Sequence, residues 1–286
     1  MSSLTYPSIV PKNNLRLPDA LTVKHGPAPL ISRYVLEGDI AVRQRGVNLR
    51  VRHDFDELLY VNKQHHAPGD WYRLPDLFNH EFSSLTPENA YWLSGEDENG
   101  EVVLTWAARF YYWPETTLED EARGMFYAGR DQGRECHVTA PDAKIISGGV
   151  LYAGSGWVRP DFRGRHLMRV VPTLGRAYAI ARWPVDWGLS LVTRPLVDKG
   201  LAAGYGYKHV SYSIAYPGSP WGDIEFAVVS VTPNEVYEDF ASFLAGRLAS
   251  TEGASAGEAV SDSLFDTKVT STSPEVAAFQ GSSNRS

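Results

Sequence analysis

The chain is nearly devoid of cysteine: Cys136 is the one thiol in 286 residues. That excludes an intrachain disulfide and any zinc site built on several thiolates, and leaves a small buried hydrophobe as the reading of Cys136. No apolar run approaches the ~20 residues that a bilayer span needs. The first thirty residues lack a basic-then-apolar leader pattern. A soluble, cytoplasmic protein with no membrane partner is therefore expected. Excess positive charge is also missing. The formal net charge is −7, which argues against a protein that coats nucleic acid, although a local basic patch still binds phosphate. Two catalytic signatures are absent, the Gly-x4-Gly-Lys-(Ser/Thr) phosphate loop and the Gly-x-Ser-x-Gly nucleophile elbow. The adjacent His65 and His66 point different ways on any regular element, so they do not chelate one ion. No other His or carboxylate cluster has ligand spacing, and no metal is expected.

What is present is a globular composition, 43% hydrophobic and 12% aromatic. Its organisation predicts three parts. Residues 1–30, punctuated by Pro7, Pro11, Pro18, Pro27 and Pro29, read as an extended arm able to reach a neighbouring subunit in a homodimer. Residues 31–248 carry the aromatics and read as one folded domain. Residues 249–286 are rich in Ser, Thr, Gly and Ala, and read as a disordered tail.

Within the domain, Arg33–Ile40 and Val47–Val51 look strand-like. Asp54–Asn62 reads as a helix capped by Asp54, and Trp71–Phe82 as a second short helix. Tyr91–Leu93 and Val102–Trp113 flank an acidic, glycine-bounded turn, the mark of a hairpin. Ile145–Val158 reads as a long strand whose glycines, Gly148, Gly149, Gly154 and Gly156, indicate a bulge or the close approach of a ligand. A helix beginning at Leu167 follows, with Pro172 as an awkward interruption. Trp187–Thr193 is a strand, Leu196–Ala203 a short helix, and Lys208–Tyr216 and Ile224–Val231 are strands. Thr232-Pro233-Asn234-Glu235 is a capping box opening a last helix. This order predicts an α/β fold with a mixed, mostly antiparallel central sheet of about six to seven strands flanked by helices.

The stretch Trp157-Val158-Arg159-Pro160-Asp161-Phe162-Arg163-Gly164-Arg165-His166-Leu167-Met168 reads as strand, basic glycine loop and helix start. Helix-start N–H groups have no partner inside the helix, and the peptide dipoles place partial positive charge there. Arginines at the same spot oppose that dipole unless an anion compensates it, so the segment reads as a phosphate cradle.

Val158, Pro160, Phe162, Arg163 and Gly164 match the Val-x-Pro-x-(Tyr/Phe)-Arg-Gly pattern of the acetyl-CoA loop of the GNAT superfamily of N-acetyltransferases, which this chain resembles. His166 and Met168 stand where that family has small residues. Gly206-Tyr207-Lys208 fills the place of the family's Gly-Phe-Lys turn. The resemblance covers roughly residues 90 to 215. It implies an acyl-CoA N-acyltransferase-like fold, acetyl-CoA or another acyl-CoA as co-substrate, and an amine acceptor. It places the cofactor on Trp157, Val158, Arg163, Gly164, Arg165, His166, Leu167 and Met168. The family's proton-donating tyrosine would fall near Ala202; Tyr205 is the nearest substitute and the catalytic candidate. Glu135 and His137 are candidate bases, and Trp106, Phe110, Tyr111, Tyr112 and Trp113 are candidates to line an acceptor pocket. Two other functions stay open: a non-catalytic binding module of the same fold, and a synthase of the acyl-homoserine-lactone type.

Overall fold

A computed structural model describes residues 14–66, 71–128, 130, 133–220 and 222–254. The expected tail from 249 on lies outside the described residues beyond Ala254, and so do residues 1–13 of the expected arm. The rest of that arm segment carries structure. Leu15–Arg16 forms strand β1, paired with β2 (Asn48–Arg52), and Leu17–Ala20 forms the short helix α1.

Helix α2 spans Ala28–Arg43 and corrects the strand expected over Arg33–Ile40. Ile31, Tyr34, Val35, Gly38 and Val42 are buried, and that spacing draws them onto one helical face. The β-branched residues gave the segment its local strand character, but the tertiary pattern prevails. Helix α3 (Phe55–His65) starts where expected: Asp54 Oδ1 accepts the backbone N–H of Asp56 at 2.9 Å. A single 3-10 turn, Asp76–Phe78, replaces the second helix expected over Trp71–Phe82.

The hairpin is β3 (Ala90–Glu96) and β4 (Val102–Trp113). Helix α4 (Leu118–Tyr127) then follows, unforeseen in the sequence. After the two-residue strand β5 (His137–Val138) come β6 (Gly148–Val158), α5 (Leu167–Arg182) and β7 (Trp187–Thr193). Two short helices, α6 (Arg194–Asp198) and α7 (Leu201–Gly204), lead to β8 (His209–Ser219), β9 (Gly222–Val231) and α8 (Pro233–Ala254).

Among the described residues nine strands form one sheet, in the order β1-β2-β3-β4-β6-β7-β9-β8-β5. Among these described strands only β6 and β7 pair in parallel, joined by the α5 crossover; every other neighbour is antiparallel. The mixed, mostly antiparallel architecture is as expected. Two of the strands, β1 and β5, are only two residues long, which accounts for the excess over the expected number.

Each face of the sheet buries its own core. Alternate residues of β3, β4 and β6, among them Tyr91, Trp106 and Leu151, meet α2, α5 and α8 on one side. Trp92, Ala107, Val150, Tyr152 and Trp157 meet α3, the 76–78 turn and α4 on the other. α5 lies close against β4 because Gly175 carries no side chain: a Cβ there would collide with the Trp106 ring.

Candidate functional site

The sheet is interrupted at its centre. β6 and β7 pair at three rungs, Val150 with Trp187, Leu151 with Gly188 and Tyr152 with Leu189. Beyond them β7 continues along β9 to Thr193, and β6 continues along β4 to Val158. A wedge therefore opens between residues 153–158 and 190–193. A bulge helps to bend β6 away. Its register with β4 shifts between Thr105 and Ala107, and Ser155 takes the left-handed conformation at φ +52°, which side chains other than glycine rarely adopt. The Gly154-Ser155-Gly156 run was the sequence's signal for that bulge.

Three polar features mark the open half. The Ser155 hydroxyl and the Trp157 Nε1 are buried and have no hydrogen-bond partner, which is uncommon for buried polar atoms. Across the wedge, the Leu191 backbone N–H hydrogen-bonds to the Tyr152 phenol, so a side chain takes the place of a missing ladder partner. Burial pushes the Tyr152 pKa well up, with Tyr111 and Tyr207 adding to the shift.

At the end of β6 the chain makes a 3-10 turn, Pro160–Phe162, and passes through Gly164 at φ +80°. It enters α5 through His166, which is left-handed at φ +54° and makes no side-chain cap hydrogen bond. The first turn of α5 contains no acidic residue but does contain Arg169. A Cβ on Gly164 would meet nothing within 4 Å, so glycine stands there for its positive φ rather than for want of space.

The arginines are braced by backbone. Arg163 Nε donates to the Val158 carbonyl at 3.0 Å. Arg165 Nη1 donates to the Arg45 carbonyl at 3.1 Å, and its guanidinium lies 3.9 Å over the Phe162 ring. This brings the turn after α2 against the loop, together with Arg45. Arg169, in the first turn of α5, and Arg45, whose carbonyl holds Arg165, are two arginines at the loop that were not singled out in the sequence. The spacing of Arg165 and Arg169, one helical turn apart, is the signal that would have found the first of them.

The other expected cofactor residues divide by face. Val158 and Met168 are half-buried on the α5 side, with Met168 Cε 2.7 Å from where a Gly156 Cβ would stand. Leu167 is buried in the same core, so it offers backbone rather than side chain. Trp157 points to the opposite face, where Trp71 stacks on it at 4.9 Å and His65 lies against it at 4.6 Å.

Tyr205 follows α7, half-buried against the α5-side core, and its carbonyl accepts from Arg176 Nη2. Burial raises its pKa, with the neighbouring Tyr207 adding to the shift. Ala202, at the place of the family's tyrosine, is buried. Glu135 and His137 pair with each other at 3.0 Å, both largely exposed. They belong to the β5 edge, with β8 and β9 between them and β7. Trp106 and Phe110 pack on the α5 side, and Tyr112 is 66% exposed. Tyr111 and Trp113 line a cavity of about 260 Å³ with Arg109 and Phe82. That cavity sits by the β4 residues that pair with Val150 and Gly148, at the end of β6 away from the wedge.

No protein-family model matches the chain, and no curated protein matches it in sequence. Among solved structures it overlaps NAA60 of Arabidopsis thaliana in complex with acetyl-CoA, at 11% identity and a TM-score of 0.41, over 65% of this chain and 99% of that one. It overlaps the ribosomal-protein-S5-alanine acetyltransferase of Vibrio fischeri at 10% identity and a TM-score of 0.39, over 65% and 93%. It overlaps a GNAT superfamily phosphinothricin acetyltransferase of Sinorhizobium meliloti, in complex with acetyl-CoA, at 14% identity and a TM-score of 0.38, over 65% and 88%. Overlaps this distant carry no argument about chemistry, which rests on the wedge and its loop.

Proposed function

We propose that this chain is an acyl-CoA-dependent N-acyltransferase that passes an acetyl group from acetyl-CoA to an amine by direct attack. The observation that carries the reading is the unpaired half of β6, opening onto an arginine-rich helix start. Unpaired strand backbone offers N–H and C=O groups at the spacing of an amide-bearing pantetheine chain. The α5 N-terminus, with Arg163, Gly164 and Arg165, suits a pyrophosphate. Backbone N–H groups beside the bulge suit the oxyanion that develops when an amine adds to a thioester carbonyl.

Three phenols are available to the departing thiolate, Tyr205, Tyr152 and Tyr207. Burial raises all three pKa values, so each keeps its proton at neutral pH and is available as a donor. The absence of a tyrosine at 202 favours a second reading, a module that binds CoA without turnover.

Calorimetry with CoA tests the proposal. Wild-type protein binds, and Arg163→Ala or Arg165→Ala weakens binding by about 10- to 100-fold, the loss of one charge-assisted contact of about 1.5–3 kcal/mol. Acetyl-CoA with spermidine, tryptamine or hydroxylamine then releases free thiol and forms the acetylated amine. Wild-type protein with no affinity for CoA overturns the proposal; binding with no transfer to any of the three supports the second reading.

A further inference from the structure

Acetyl transfer to an ordinary amine needs a group that removes the ammonium proton, and Glu135 and His137 lie at the sheet edge, away from the wedge. The rings gathered on the face of the sheet opposite α5 supply another. A group passing between β6 and β7 from the α5 side would reach the face that carries Tyr152 and Trp157. There Trp157 is 4% exposed, and its indole is held between elements. Trp71 stacks on it at 12° between planes, and His65 rests against it at 31°.

His65 ends α3. The Asp54 cap, the buried Leu58 and Leu59 and the Asn62 side chain fix that helix. Asn62 Nδ2 donates to the Tyr72 carbonyl at 2.9 Å, and Asn62 Oδ1 accepts the Leu74 N–H at 3.0 Å. The segment carrying Trp71 is thus tied to the helix carrying His65, and both are packed on the residue two positions beyond the bulge.

We propose that His65, seated on Trp157 beside the open half of β6, is the general base that takes the proton from the acceptor amine. The inference rests on the acyltransferase reading. Of the described histidines, His53 bonds the Ala90 carbonyl, and His80, His137 and His209 pair with Asp56, Glu135 and Glu235. His65 has no hydrogen bond or ion pair among the described residues, and it is half-buried rather than free in solvent. The charged groups of the elements packed on α3 are engaged elsewhere. Arg52 bridges Glu57 and Glu96, His80 takes Asp56, and Arg130 takes Asp76. Lys63, His66 and Arg73 are nearby in the chain, and none pairs with His65. An imidazole nitrogen is the kind of proton acceptor that general-base catalysis most often uses.

The proton balance closes. His65 takes one proton from the bound ammonium. The neutral nitrogen attacks the thioester carbonyl, forming C–N. The C–S bond breaks as the tetrahedral intermediate collapses, and the second N–H proton released from nitrogen ends on the departing sulfur. His65 returns its own proton to solvent. The products are an amide and the free thiol of CoA.

Two acceptors separate this role from a structural one. Spermidine is cationic at neutral pH and needs a base; hydroxylamine is already neutral. His65→Phe keeps a ring against Trp157 and removes the basic nitrogen. We expect kcat/KM for spermidine to fall about 10²- to 10⁴-fold, with the acidic limb of its pH profile lost. The hydroxylamine rate and the CoA affinity stay within about threefold of wild type. Imidazole added to His65→Ala restores part of the spermidine rate. If His65→Phe does not fold, His65→Gln is measured the same way. A variant that binds CoA and acetylates spermidine at the wild-type rate, with the acidic limb intact, overturns the role of His65 and leaves the acyltransferase reading standing. Failure of the wild-type protein to bind CoA, or to release thiol with any acceptor, overturns that reading and this role with it.

Discussion

At the residue scale, small side chains decide how close the layers come. Gly175 sits on the buried face of α5 where a Cβ would run into the Trp106 ring, and its carbonyl accepts the Tyr91 hydroxyl at 2.6 Å. Trp106 is 3% exposed and Tyr91 fully buried, so neither ring has solvent to retreat into. Gly175→Ala is therefore expected to destabilise the fold by about 1–3 kcal/mol through overpacking, despite alanine's better helix propensity. At roughly 2–4 °C per kcal/mol for a chain of this size, the melting temperature falls by several degrees. Scanning calorimetry checks it, and an unchanged or raised melting temperature would mean that Trp106 turns aside freely.

The same scale shows what single residues told in advance. Arg163 and Gly164 announced a loop, and Gly154 and Gly156 announced a bulge, because arginine at a helix start and glycine in a strand each have a specific physical cost. The buried hydroxyl of Ser155 and the rings on Trp157 gave no such signal. Their meaning depends on partners brought from residues 65 and 71, and no local pattern encodes that meeting.

Elements were legible where their ends carry chemistry. The α3 cap at Asp54 and the α8 box at Thr232 and Glu235 were readable because a side chain must replace missing backbone partners. In α8, Glu235 Oε2 accepts the Thr232 N–H at 2.8 Å. The α4 box was readable in principle too: Asp120 Oδ2 accepts the Thr117 N–H at 2.9 Å. α2 was not legible, since its β-branched residues mimic a strand until the opposing α5 is in place. α5 runs through Pro172, and burial of its face outweighs the hydrogen bond that proline removes.

These caps set an acid dependence. The Thr117 backbone and hydroxyl hydrogen bonds hold the Asp120 pKa below its usual 3.8. For Glu235 burial pushes upward, but the bonds from Thr232 and the charge of His209 outweigh it and hold the pKa below its usual 4.5. A carboxylate with a depressed folded pKa stabilises the fold above its unfolded value, and that contribution is lost as pH falls through the folded value. The melting temperature should therefore drop as pH falls below about 4.5 and approaches the depressed folded values. The double variant Asp120→Asn, Glu235→Gln should start lower at neutral pH and decline less over the same range. Parallel curves for the two proteins in a pH series of thermal melts would assign the acid loss to other groups. The third cap ties stability to the site: Asp54→Ala should cost about 1 kcal/mol, read as a lower denaturation midpoint, and should loosen the helix that carries His65.

On the scale of the whole molecule, two cores share one sheet, and the sheet is incomplete between them. A continuous sheet would leave no strand edge inside the protein. Here β6 and β7 share three rungs and then part, so two stretches of internal backbone face a gap rather than each other. Proteins elsewhere manage exposed edges by shortening or covering them; an edge kept open at the centre of the sheet is a site held ready for something with its own hydrogen-bonding groups. If that partner is the pantetheine arm of CoA, amide exchange will report it. Without ligand, alternate amides of residues 153–158 and of 190–193, those directed into the wedge and other than that of Leu191, which the Tyr152 phenol already accepts, should exchange faster than the amides of 150–152 and 187–189. Added CoA should slow them by at least tenfold and leave the amides directed toward β4 and β9 unchanged, because those ladders are already complete. A uniform slowing across both cores would report general stabilisation by mass action instead. Protection confined to 163–169 would place the nucleotide on the arginine loop with its arm outside the sheet, and the acyl group would then never reach His65.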